Sequence, residues 1–162
     1  MAIWALVFLI VVFPFSIYAT WSDLKFLKIP NILPMSLAIT FVIVGPFVLP
    51  FYEYLNSLIY GFIALMISLV IFAARLVPGG DLKYATSLIP FVNTHELVSF
   101  AMFVSLAALT AVFTHLLFGW LKLAPEGWAS WQGGGLRRRF PVGFALSGGI
   151  LIYLAAHLIQ PA

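Results

Sequence analysis

Apolar residues come in long blocks along this chain, and the polar residues gather in the short stretches between them. The first block runs from about Ala2 to Thr20 and tolerates Pro14 as a kink, as a membrane helix can. A polar stretch follows, Trp21 to Asn31, carrying Asp23, Lys25 and Lys28. The second block is about Ile32 to Leu49. Pro50 to Asn56, with Glu53 and two tyrosines, reads as an interfacial link. The third block is about Ser57 to Val77, with Arg75 near its end, and it gives way to Pro78-Gly79-Gly80-Asp81-Leu82-Lys83. Tyr84 to Val92 is apolar but too short to span alone unless it extends back through Asp81. Asn93 to Glu96 interrupts, a long block covers about Leu97 to Trp120, and the last covers about Pro141 to Ile159. Blocks near the roughly 20 residues that cross a bilayer predict five full spans and one short span, Asp81 to Val92.

Charge supports six crossings. With the N-terminus outside, the loops after the first, third and fifth spans face the cytoplasm. Those loops and their helix ends hold Lys25, Lys28, Arg75, Lys83, Lys122 and Arg137 to Arg139, which is every lysine and arginine in the chain, while Glu53 and Glu96 fall on the other side. This is the positive-inside pattern without an exception. Without the short crossing, the triple arginine would lie outside.

Composition agrees. Hydrophobic residues make up 64% of the chain and charged residues 8%, where a soluble domain carries about a quarter charged residues. So few charges cannot coat a water-facing surface. The expected fold is an all-α polytopic membrane protein of about six transmembrane helices, with 1–162 as one domain. The chain has no cysteine, so disulfides, thiolate catalysis and cysteine zinc sites are excluded. The start has no basic segment before its apolar run, so that run reads as a retained helix.

An ionisable residue at a membrane helix end is a functional candidate. Asp23 and Asp81, the only two aspartates, each follow a descending span by a few residues and share one depth near the cytoplasmic boundary. Two carboxylates a few ångströms apart cannot both ionise readily, so one keeps its proton while the other stays charged. Such a pair can take a proton from water and polarise a peptide carbonyl. The plainer alternative pairs each aspartate with Lys25, Lys28, Lys83 or Arg75, with Asp81 an N-cap and Asn31, after Pro30, a helix-start device. His95, His115 and His157 lack metal-ligand spacing and read as packed or interfacial. Trp120, Trp128 and Trp131 read as interface anchors, and Arg137 to Arg139 as a topology signal. The pairs Gly143/Ser147 and Ala145/Gly149, four apart, would let helices approach closely, or are ordinary small residues of a membrane helix.

Two local patterns add to this reading. The first is Asp23-Leu24-Lys25-Phe26-Leu27-Lys28-Ile29-Pro30-Asn31, an aspartate followed at a distance by Ile-Pro-Asn. The second is Pro78-Gly79-Gly80-Asp81-Leu82-Lys83. Here the chain resembles the type IV prepilin peptidases, membrane aspartic peptidases whose motifs are an aspartate with a following Ile-Pro-Asn and Gly-x-Gly-Asp-x-Lys. The segment Phe140-Pro141-Val142-Gly143-Phe144-Ala145 is similar to the start of that family's last helix. One departure is Pro78, which stands at the first motif glycine and fixes its own φ.

The resemblance implies catalysis by Asp23 and Asp81, with Ile29, Pro30, Asn31, Gly79, Gly80 and Lys83 supporting them. It implies no metal or other cofactor, a pilin precursor as substrate, the lipid bilayer as surroundings and no nucleic-acid partner. The enzyme would sit in the bacterial inner membrane with its site facing the cytoplasm. The short, cysteine-free chain is similar to the peptidase-only branch of Flp/Tad pili, for which N-methyl transfer is not expected. The archaeal preflagellin peptidases share the two-aspartate plan. The rival readings are a non-catalytic scaffold or assembly component and, less fitting because no acid lies mid-helix, a small transporter.

Overall fold

A computed structural model describes residues 3–123, 127–130 and 140–159. Six α-helices carry the fold: α1 (Ile3–Phe26), α2 (Ile32–Val48), α3 (Phe51–Ala73), α4 (Gly79–Leu88), α5 (Leu97–Trp120) and α6 (Val142–Ile159). Two short 3-10 turns, Ile89–Phe91 and Thr94–Glu96, join α4 to α5. The expected Arg137 to Arg139 signal and Trp131 lie outside the described residues.

Among the described residues four helices are long and apolar enough to cross a membrane, namely α1, α3, α5 with its preceding turn, and α6, while α2 is apolar but shorter. The outer faces are covered with exposed apolar side chains such as Ile59, Phe62, Val70, Val98 and Leu109. A soluble protein rarely carries so continuous an apolar surface. Some exposed hydroxyls are satisfied within their own helix: Ser36 donates to the Ile32 carbonyl at 2.7 Å and Ser105 to that of Ala101 at 2.8 Å. In hydrocarbon no water is present to do it for them.

The helices pack as two trios. One is α5–α6–α1, with α6 in the middle; the other is α2–α4–α3, with the short α4 in the middle. The trios meet through α1 against α2 and α4 against α6. Lipid gives helices no hydrophobic reason to associate, so close packing must supply it. Three rings from different elements interlock at the centre: Phe91 stands edge-on to Phe8 at 5.2 Å and to Phe41 at 5.1 Å. Each such pair contributes about 0.5–1.5 kcal/mol beyond area burial.

Helix limits depart from the hydropathy blocks in ways that matter for the site. α1 does not end at Thr20 but continues to Phe26, because Trp21 to Phe26 is polar yet holds no helix breaker. Asp23 is therefore in the helix, not in a loop beyond it. α1 stops at Leu27, which takes φ 49° and returns its N–H to the Asp23 carbonyl at 2.8 Å. α3 starts at Phe51, directly after Pro50, so Glu53 lies in its first turn rather than in a link. It ends at Ala73, earlier than the apolar block, with Arg75 at φ 56°. There Arg75 N–H reaches the Phe72 carbonyl and Leu76 N–H that of Ile71, a left-handed helix stop in which arginine stands where glycine is usual. Lys122 closes α5 the same way at φ 54°.

Candidate active site

The site is assembled at one end of the bundle, where α1 ends and α4 and α6 begin. Asp23 lies in the last turn and a half of α1 and is buried, at 3% exposure. The Ser22 hydroxyl beside it donates to the Lys28 carbonyl at 2.7 Å, folding the chain back after the helix stop. Ile29 is thereby turned inwards and buried. Pro30 then forces the break that lets α2 begin. The α1 end is further closed by main chain from residues 127–130: Ala129 N–H donates to the Lys25 carbonyl at 2.9 Å and Ser130 N–H to that of Leu24 at 3.3 Å.

Asp81 arrives from the other trio. It is the third residue of α4, half-buried, and it is not the N-cap; that position is Pro78, with φ −56° and ψ 136° and no side-chain cap. Proline takes such a φ without strain, so this backbone does not require the glycine of the family pattern. Pro78 opens α4, five residues after α3 has ended at Ala73. Gly79 and Gly80 are helical. Gly80 lies against the Ile29 main chain, where a Cβ would stand 3.6 Å from the Ile29 carbonyl oxygen, and at Gly79 a Cβ would meet the Phe72 ring at 2.9 Å. Close approach to Phe72 favours a small residue at Gly79, whereas at Gly80 an added carbon would make only ordinary contact with Ile29.

These contacts bring the two sequence patterns together. Gly80 sits on Ile29, and the Lys83 ammonium donates to the Asn31 side-chain oxygen at 3.1 Å. Asn31 stands at the start of α2 but makes no cap with its side chain, so the expected helix-start role falls to its backbone alone. Asp23, in the last turns of α1, and Asp81, in the first turn of α4, are thereby brought to the same end of the bundle. Among the described residues neither aspartate forms an ion pair with lysine or arginine. Lys25 lies instead over the Trp21 and Phe26 rings at 5.1 and 5.2 Å.

One partner of the site was not singled out by sequence reasoning as such. The Gly143 main-chain N–H, in the first turn of α6, donates to Asp23 Oδ2 at 2.6 Å. Its signals in the sequence were the Phe140 to Ala145 pattern and the Gly143/Ser147 spacing. From Asn31 and Lys83 an apolar groove of about 610 Å³ runs between α2, α3 and α4 past Met35, Phe62 and Pro90. A smaller cavity of about 140 Å³, near Trp4, Glu53 and His95, lies at the opposite end of the bundle. Also at that end, Glu96 accepts from His157 at 2.6 Å and from the Tyr153 hydroxyl at 3.0 Å, pinning the Thr94–Glu96 turn to α6. Among the described residues no group of histidine, aspartate and glutamate side chains is arranged to hold a metal.

The chain is thus a multi-pass helical membrane protein with Asp23 and Asp81 at the same end of its bundle. The chain belongs to the type IV leader peptidase family, whose model matches residues 10–119 and so includes both aspartates. No curated protein and no solved structure matches it. Membership makes it a membrane protease of the leader-peptidase kind.

Proposed function

We propose that the chain is a single-domain aspartic endopeptidase that removes the basic leader from Flp-type pilin precursors at the cytoplasmic face of the bacterial inner membrane. Asp23 and Asp81 are its acid pair. The observation that carries this reading is the convergence of the two patterns: Gly80 against Ile29 and Lys83 on Asn31 draw two distant aspartates to one rim.

The chemistry follows from a pair sharing one proton. The ionised carboxylate removes a proton from water as its oxygen attacks the scissile carbonyl carbon. The protonated carboxyl gives its proton to the carbonyl oxygen. As the tetrahedral intermediate collapses, one of its hydroxyls returns a proton to the second carboxyl, the C–N bond breaks, and the departing amine takes the proton that the first carboxylate had received. The leader leaves with a new carboxylate, and the pair returns to one shared proton. The groove leading from Asn31 and Lys83 suits an apolar substrate helix lying in the bilayer, with the bond to be cut at the rim. Lys25, Lys28 and Lys83 would hold that rim on the cytoplasmic side. The absence of cysteine from the sequence fits peptidase action without methyl transfer.

Co-expression with a pilin precursor tests the proposal. Wild type should release a leader-sized fragment, while Asp23→Asn and Asp81→Asn each insert normally and lose about 10²–10⁴-fold in cleavage rate. Full processing by either variant would favour a non-catalytic scaffold.

A further inference from the structure

The family match ends at residue 119, before α6 begins at Val142. Yet α6, like α2, touches the elements of both aspartates. At Gly143 its N–H donates to Asp23 Oδ2 at 2.6 Å, and the Phe144 N–H lies beside it. One turn later, Ser147 Oγ is 2.9 Å from the hydroxyl of Tyr84, in α4 three residues after Asp81. Tyr84 is fully buried and Ser147 nearly so. One face of α6 therefore sets the position of Asp23 directly and that of the Asp81 helix through Tyr84.

Gly143 also leaves a space that the carboxylate needs. A Cβ there would stand 2.9 Å from Asp23 Oδ2, 3.3 Å from Asp23 Cβ and 2.8 Å from Ile29 Cδ1. Contacts under about 3 Å are not sustained by real carbon atoms, so the carboxylate or the helix must shift. We propose that Gly143 is a positioning residue of the aspartyl site: its N–H aims the Asp23 carboxylate, and its missing side chain makes room for it. This rests on the aspartyl reading above.

The chemistry makes the position matter. A carboxylate that must take a proton from water and face Asp81 tolerates little displacement, and a misplacement of about 1 Å can cost on the order of 10²-fold in rate. The substrate groove is lined by α2, α3 and α4 and does not involve Gly143. Substrate binding should therefore survive where turnover does not.

Two variants of the full-length protein, purified in detergent and assayed on a pilin-precursor peptide, separate the parts. Gly143→Ala adds the colliding carbon. Replacement of residue 143 by glycolic acid, installed by nonsense suppression, turns its amide into an ester and deletes the N–H without adding bulk. Each should lower kcat per folded molecule by about 10–100-fold and leave KM within about twofold. Gly148→Ala, whose added carbon meets only Ala107 Cβ at 3.4 Å, should keep wild-type turnover. If Gly143→Ala cannot be purified folded, the ester variant decides. Wild-type kcat in the ester variant, with Asp23→Asn inactive, overturns the role of Gly143 and leaves the aspartyl pair standing. Full cleavage by Asp23→Asn overturns both.

Discussion

Tyr84 and Ser147 share one buried hydrogen bond of 2.9 Å between the helix of Asp81 and the last helix of the bundle. Removing one partner strands the other in a dry interior, which costs about 1–3 kcal/mol, whereas removing both together costs much less. Tyr84→Phe should therefore lower unfolding stability by that amount, and Tyr84→Phe with Ser147→Ala should recover most of it; thermal unfolding in detergent measures both. At this scale the sequence was informative about identity and poor about partners. Asp23, Ile29, Asn31, Asp81 and Lys83 could be named from two local patterns, because each pattern is a short run of residue types. That Lys83 holds Asn31, that Gly80 lies on Ile29 and that Gly143 holds Asp23 could not be read, because these contacts join residues far apart in the chain. The alternative that lysines neutralise the aspartates was open from spacing alone, and the described residues pair Lys83 with Asn31 instead.

Among the elements, α6 packs tightly on α5 because Gly149 admits the Val104 main chain. A Cβ at Gly149 would stand 2.7 Å from Val104 Cα, and backbone cannot step aside as a flexible side chain can. Gly149→Ala should cost about 1–3 kcal/mol of stability through overpacking, seen as a lower melting temperature. Of the two readings of the small pairs, close approach is the one the packing favours at Gly143 and Gly149. Hydropathy located every long helix but misjudged three limits, the end of α1 and both ends of α3, since it registers apolarity and not where a helix starts or stops. Trp21 to Phe26 remains helical though polar, and Tyr52 to Asn56 belongs to α3 although it reads as a link. The stops at Leu27, Arg75 and Lys122 were hidden for a related reason: each uses a left-handed residue that is not glycine.

For the molecule as a whole, the proposed orientation predicts sidedness. The chain lacks cysteine, so single thiols report cleanly. Tyr52→Cys, exposed at one end, should react with a membrane-impermeant reagent in intact cells, and Leu123→Cys, exposed at the end where the aspartates lie, only after permeabilisation. The opposite pattern would put the acid pair outside. The all-helical, multi-pass architecture was legible from block length and charge, because lipid demands long apolar helices whatever their partners. The arrangement of two trios was not, since lipid-facing and protein-facing surfaces are equally apolar and leave no periodic mark. One contact carries a consequence in time. The bond between Asp23 and Gly143 spans 120 positions of sequence. A ribosome releases α1 well before α6, so during synthesis the Asp23 carboxylate waits without the amide that holds it. The contact that orients this carboxylate forms only once α6 has also been inserted, so the geometry proposed for the site is a late product of membrane insertion rather than a property of α1 alone.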